Sequence, residues 1–199
     1  MAKPNIKVEP SRKGTAVLTG LVRLAFVNAL VAKPNPSGAM KYSVTMLIEP
    51  NDPMVPMMKE AIKQAAIDKW ADKIPKGIRS PLRDGNEKDY GGFADHLFVS
   101  CNSDSKPGVV DAAAKPITEE SRIYSGCWAR VDVNFFGYAK AGNQGIACGL
   151  NNIQVLGDDD AFTGRQAADK VFSAVVSADS PFEKKDDKAV SADVDDMFA

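Results

Sequence analysis

Histidine, cysteine and tryptophan are scarce in this chain, and their scarcity removes most catalytic chemistry. One histidine, His96, stands among 199 residues. A Ser-His-Asp or Cys-His mechanism has that single imidazole to draw on, and no Gly-x-Ser-x-Gly elbow accompanies it. No Gly-x-x-x-x-Gly-Lys-Ser/Thr run is present to cradle a nucleotide phosphate. The three cysteines, Cys101, Cys127 and Cys148, are odd in number, which argues against a disulfide framework. With His96 they could be written as a three-Cys, one-His zinc set. Each shares phase with apolar strand positions, however, so buried reduced thiols are expected. Carboxylates cluster at Glu119-Glu120 and Asp158–Asp160, with Asp132 the one strand carboxylate of note. As metal ligands of a nuclease these would need further acidic partners from strands. No apolar run approaches the ~20 residues that span a bilayer, and the start MAKPNIKVEPSRKG has no apolar signal core. The expectation is a soluble intracellular protein, not an enzyme, with no cofactor, no metal and no membrane partner.

What is present is two-faced. Residues 123–138, IYSGCWARVDVNFFGY, alternate with a period of two. Cys127, Ala129, Val131, Val133 and Phe135 fall on one side of a strand, and Trp128, Arg130, Asp132, Asn134, Phe136 and Tyr138 on the other. The first set is a core face. The second interleaves aromatics with a cation, the composition that base stacking and phosphate attraction require. The bland alternative is a central strand buried on both sides.

Charge is distributed unevenly. The whole chain carries a net charge of −1. Residues 1–157 hold 20 Lys+Arg against 15 Asp+Glu, while residues 158–199 hold 5 against 11. A mildly basic body is therefore followed by an acidic tail, an asymmetry that points to interaction.

Along the chain, residues 1–13 read as a flexible arm. Thr15–Val31 reads as one long strand; its even set (Ala16, Leu18, Val22, Leu24, Phe26) is apolar, its odd set includes Thr19 and Arg23, and Gly20 marks a bend. Tyr42–Ile48 alternates cleanly, with Tyr42, Val44, Met46 and Ile48 apolar and Lys41, Ser43 and Thr45 polar. Asp52 and Pro53 open an amphipathic helix carrying Met54, Met58, Ala61, Ala65 and Trp70 on one stripe. Residues 74–95 form a long Pro/Gly-rich connection with Arg79, Arg83 and Lys88. His96–Asn102 is a strand with Leu97, Val99 and Cys101 inward and Phe98 outward. The Gly/Asn turn at 140–145 joins the 123–138 strand to a partner at 146–155 in a second hairpin. Beyond Gly157 a weak helix at 164–176 and then disorder are expected. Five strand-like elements and one helix make a mainly β protein economical. The expected form is a five-stranded OB-type barrel with one packed helix, although any small barrel or sandwich shows similar strands.

The nucleic-acid constellation read from strand phase is Trp128, Arg130, Phe136, Tyr138, Phe98, Arg23 and Lys41, with Thr45 alongside, and Lys33, Arg83 and Lys106 from loops. The tail ends DVDDMFA, so Asp193, Asp195 and Asp196 precede Phe198. An acidic string with an apolar tip suits a peptide ligand for a basic partner, or a competitor for the chain's own basic groove. Two other classes remain open: a metal-dependent DNA-processing enzyme or subunit on the same face, and a virion or assembly module whose aromatic face binds protein.

The runs VRLAFVNA, KYSVTMLI, PLRDG, KPGVVD, YSGCWARVDVNFFGY and GIACGLNNIQ occur in order over residues 15–157. In these the chain resembles a group of single-stranded-DNA-binding (ssDNA-binding) proteins of tailed phages, an OB-fold family similar in design to podophage proteins with an acidic, Phe-terminated tail. The resemblance implies single-stranded DNA as ligand, roles in phage replication, recombination and repair in the cytoplasm of an infected bacterial host, and recruitment of polymerase or helicase by the tail. It implies a binding domain at 1–157 and a recruiting tail at 158–199; a homodimer is compatible with it. The chain departs from the pattern in one respect, because Ala199 follows Phe198.

Overall fold

A computed structural model describes residues 4–140 and 142–162. The strands are β1 (Ser11–Lys13), β2 (Ala16–Leu18), β3 (Val22–Pro34), β4 (Met40–Ile48), β5 (Leu82–Asp84), β6 (Leu97–Ser103), β7 (Gly108–Val110), β8 (Trp128–Lys140) and β9 (Asn143–Gly157). One α-helix, α1 (Met54–Trp70), follows β4. Five strands close a ring in the order β3-β4-β6-β9-β8, with β8 returning to β3. In chain order that is 1-2-3-5-4, and every neighbouring pair is antiparallel except β6–β9. The fold is mainly β and of OB type, as the sequence predicts.

Ring closure turns the period of two into an inside and an outside. Leu24, Val44, Met46, Ile48, Val99, Cys101, Val131, Val133, Phe135, Cys148 and Ile153 fill the interior. All three cysteines are buried there. The Sγ atoms of Cys101 and Cys148 lie 3.1 Å apart across the parallel β6–β9 seam. Burial pushes the Cys127 thiol up to about 11, so it stays neutral and a poor nucleophile.

Helix α1 packs against β8, and its buried residues belong to the same core cluster as the barrel interior. Asp52 Oδ1 accepts the Met54 N–H at 2.9 Å, which satisfies one of the helix's free N-terminal donors. The buried stripe is Met54, Val55, Met58, Ala61, Ala65 and Ala66. Its C-terminal end meets β8 where Gly137 has no side chain: a Cβ there would lie 2.4 Å from Lys69 Cβ.

Several expectations need correction. The Thr15–Val31 run is two strands, because Thr19–Leu21 turns the chain out of one pairing into the next. Thr19 is fully buried. Its hydroxyl donates to the Gly20 carbonyl and accepts the Val131 N–H, both at 2.8 Å. That corner reverses the phase, so in β2 it is Val17 that enters the core. A second slip, between Ala25 and Asn28, turns Phe26 outward. The arm is placed from residue 4 onward: Ser11–Lys13 pairs with β2, and Arg130 donates to the Glu9 carbonyl. The 74–95 connection holds β5, which pairs with β6. Phe98 faces outward but is buried. The predicted helix at 164–176 and the tail residues Asp193, Asp195, Asp196 and Phe198 lie outside the described residues. Among the described residues no helix is long and apolar enough to cross a membrane.

Two substitutions test this packing. Thr19→Val leaves the buried Val131 N–H without its acceptor, so the expected loss in chemical denaturation is about 1–3 kcal/mol. Gly137→Ala forces α1 away from β8 and is expected to cost about 1–3 kcal/mol in the same measurement. An unfolding free energy unchanged in either variant would contradict the role given to that contact.

Candidate nucleic-acid interface

OB barrels present ligands with the outer face of their second and third strands and with the loops between strands one and two and between four and five. Here those parts are β4, β6, the 35–39 loop and the β8–β9 turn. The outward residues pair across the two strands: Ser43 with Asn102, Thr45 with Ser100 and Leu47 with Phe98. The Thr45 and Ser100 hydroxyls share a hydrogen bond of 3.0 Å. The centre of this face is thus flat and small, with larger groups on both flanks.

On one flank lies a groove of about 580 Å³. Ser100, Asn102 and Ala147 line it together with Arg79, Arg83 and Tyr138. Arg79 is held at the rim by its backbone, which accepts the Ile146 N–H at 2.9 Å. Tyr138 and the 46 % exposed Phe136 sit two residues apart on the same face of β8. The Arg83 guanidinium lies 4.4 Å over the Phe98 ring, so β5 pins a cation onto the buried aromatic.

On the other flank rings build outward from the sheet. Phe98 meets Phe93 edge-on at 5.3 Å. Phe93 meets Phe26 at 5.7 Å and Tyr90 at 5.8 Å, and Phe26 meets Tyr90 at 5.0 Å. Phe93 and Phe98 are buried, together with Ala25 and Leu47, in a small apolar cluster outside the barrel. Phe26 and Tyr90 top this cluster at 49 % and 55 % exposure. Phe26 adopts φ +49°, a left-handed conformation that a phenylalanine enters only at a cost. The bulge spends that cost on holding a large ring in solvent.

The sequence-derived set is thereby divided. Arg83, Phe98, Tyr138 and Phe136 border the β4–β6 face or its groove, alongside Thr45. Lys33 and Lys41 are cross-strand partners at the far end of the β3–β4 hairpin, and Lys41 bridges Asp104 at 2.6 Å. Lys106 is exposed in the turn after β6. Trp128 and Arg130 do not form a free pair. The Trp128 indole N–H donates to Asp159 at 2.9 Å. Arg130 lies under the N-terminal arm, with its Nε buried and without a hydrogen-bond partner among the described residues. Arg23 lies 5.8 Å from the Trp128 ring and bridges Asp159 at 3.3 Å.

Phe26, Tyr90, Phe93 and Arg79 were not in that set. Phe26 is concealed by a bulge that no composition announces. Tyr90 and Phe93 flank Gly91-Gly92 in a long loop, and two aromatics around a glycine pair were the available signal. Among the described residues no group of three or more His, Cys, Asp or Glu side chains could hold a metal.

Comparison with known proteins bears on the fold and the family. Protein p50 of Acyrthosiphon pisum secondary endosymbiont phage 1 is 35% identical over 155 residues, covering 72% of this chain and 84% of that protein. The ssDNA-binding protein of bacteriophage Enc34, solved in complex with ssDNA, superposes with a TM-score of 0.69 over 80% of this chain and 100% of its own, at 16% identity. The bacteriophage T7 single-stranded DNA binding protein gp2.5 superposes with a TM-score of 0.57 over 81% of this chain and 98% of its own, at 15% identity. At such identities the superpositions speak to the fold. The sequence match itself runs over residues 15–188, and on it the chain belongs to the family of the Enterobacter phage Enc34 ssDNA-binding protein.

Proposed function

We propose that this chain binds single-stranded DNA without reading its sequence and performs no catalysis. The observation that carries the reading is the solvent-exposed Phe26–Tyr90 pair, held out by a strained bulge beside the β4–β6 face. A folded core has no use for two large rings in water, one of them at a costly backbone angle. A base has, because every base offers a π-face that stacks on an aromatic ring. Arg83 and the groove walled by Arg79 and Tyr138 supply adjacent phosphate attraction and a further stacking surface. Phe136 extends that surface, and Lys33, Lys41 and Lys106 add positive charge at the hairpin and turn beyond. The flat polar centre, with Thr45 and Ser100 satisfied by each other, is suited to passing a strand rather than to reading base edges.

In this reading the protein coats single strands during phage replication and recombination, in the cytoplasm of the infected host. The acidic segment ending in Asp193, Asp195, Asp196 and Phe198 recruits replication proteins such as a polymerase or helicase. The composition of that segment supports this role.

Titration of fluorescently labelled oligo-dT by anisotropy tests the binding surface. Phe26→Ala and Tyr90→Ala are each expected to weaken binding by about 1–3 kcal/mol, on the scale of one lost base stack. Wild-type affinity in both variants would remove the aromatic pair from the interface. Replacing Arg79 and Arg83 together by Ala is expected to reduce the slope of log affinity against log salt by about 1 to 2. An unchanged slope would place the phosphates elsewhere.

A further inference from the structure

The ring closes at the β6–β9 seam over two registered pairs, Cys101 with Cys148 and Asn102 with Gly149. It is the one parallel junction of the ring, the slightly weaker of the two ladder geometries. One of its two pairs is a pair of thiols. Cys101 and Cys148 belong to the barrel core, and their Sγ atoms are 3.1 Å apart. Their neighbours point the other way. Ser100, Asn102 and Ala147 line the groove on the outer face, and Cys148 itself borders that groove. The seam is therefore core on one side and the floor of an open groove on the other. Cys127 lies at the other short junction, where its carbonyl accepts the Leu24 N–H at 3.0 Å.

A disulfide needs Cα atoms about 4.4–6.8 Å apart and sulfurs at about 2.05 Å. Neighbouring strands lie about 4.7–4.9 Å apart, so a registered pair meets the first requirement. The sulfurs, already in contact, need about one ångström of further approach to meet the second. Access is the remaining requirement. Burial first, and Cys101 beside it, hold the Cys148 thiol well above the usual thiol range, so the closed seam reacts slowly. A local parting of so short a ladder admits water and small solutes from the groove to Cys148.

We propose that Cys101 and Cys148 form a dithiol modification site, at which peroxide entering from the groove closes a disulfide across the β6–β9 seam. The Cys148 sulfur attacks one peroxide oxygen and the O–O bond breaks. The departing oxygen leaves as water with the thiol's proton, and Cys148 becomes a sulfenic acid. The Cys101 sulfur then attacks the Cys148 sulfur and the S–O bond breaks. That hydroxyl leaves as a second water with the Cys101 proton. The two thiols lose two electrons and two protons, and one peroxide is reduced to two waters. The product ties together residues 47 apart in sequence and locks the ring at its parallel junction. A thiol reductant reverses the step by exchange. The site stands independently of the DNA-binding reading, because it rests on the seam alone.

The test treats the full, folded chain with hydrogen peroxide and then alkylates the remaining thiols with iodoacetamide under denaturing conditions. Intact mass and a non-reducing peptide map are read. One alkylated thiol, Cys127, and one peptide pair joining Cys101 to Cys148 within a single chain are expected. Dithiothreitol should return all three thiols to alkylation. Cys101→Ala and Cys148→Ala should each abolish the linkage, and Cys127→Ala should leave it. The wild-type map decides the bonded pair even where a variant fails to fold. The thermal midpoint of the oxidised wild-type chain is expected to exceed that of the reduced chain by about 5 °C or more. Three thiols still alkylated after peroxide, a linkage through Cys127 or between chains, or oxidation that stops at sulfenic or sulfinic acid each overturns the site. A midpoint at or below that of the reduced chain overturns the lock.

Discussion

Closure of a five-stranded sheet on itself is the constraint on which the rest of this molecule depends. The ring is completed at two short junctions. The β3–β8 junction pairs Val22 with Ala129 and Arg23 with Trp128, and the β6–β9 junction pairs Cys101 with Cys148 and Asn102 with Gly149. Once closed, the ring takes one phase of every strand as its core and leaves the other phase outside. Function has only that outer phase and the connecting loops to work with. The small residues of the outer phase, Ser43, Thr45, Ser100, Asn102 and Ala147, make a floor. The long connections supply the walls.

Those walls are built by a second, smaller hydrophobic assembly. Ala25, Leu47, Phe93 and Phe98 bury one another on the exterior, where a solvated surface would ordinarily carry polar groups. This cluster ties the 85–96 loop to the sheet, gives Arg83 an aromatic ring to rest on, and forms the base from which Phe26 and Tyr90 project. Apolar burial here serves geometry: it fixes loop side chains against strands, so that the exposed Phe26 and Tyr90 rings are held in place. Preorganisation of that kind lowers the entropy lost on binding.

The same outer face also explains why Asp159 and Phe162 settle where they do. A carboxylate next to Arg23 and an indole N–H is stabilised by charge-assisted hydrogen bonds, and Phe162 finds the edge of the exterior cluster. The outer face thus holds an acid and a ring from the chain itself against its own cation and aromatic groups.

Much of this was legible along the chain. The alternation in Tyr42–Ile48 and in residues 127–135 identified core and outer phases because a strand's period of two leaves no freedom between neighbours. The helix was marked by its Ala/Met stripe, and Phe98 and Tyr138 were placed on the outer side by phase alone, while Arg83 was read from a loop. Phase counting fails wherever the backbone breaks it. The Thr19 corner inverted β2, and the bulge after Ala25 turned Phe26 from core to solvent. Tyr90 and Arg79 sit in a connection with no period to count. Trp128 and Arg130 lie on the outer phase, as read, but what lies over them comes from the chain's two distant flanks: the arm near Glu9 and the turn at Asp159. Local periodicity therefore determined which residues face in and which face out. Only the tertiary structure decided which outward residues remain uncovered, because coverage depends on contacts between segments 31 and 121 residues apart in sequence.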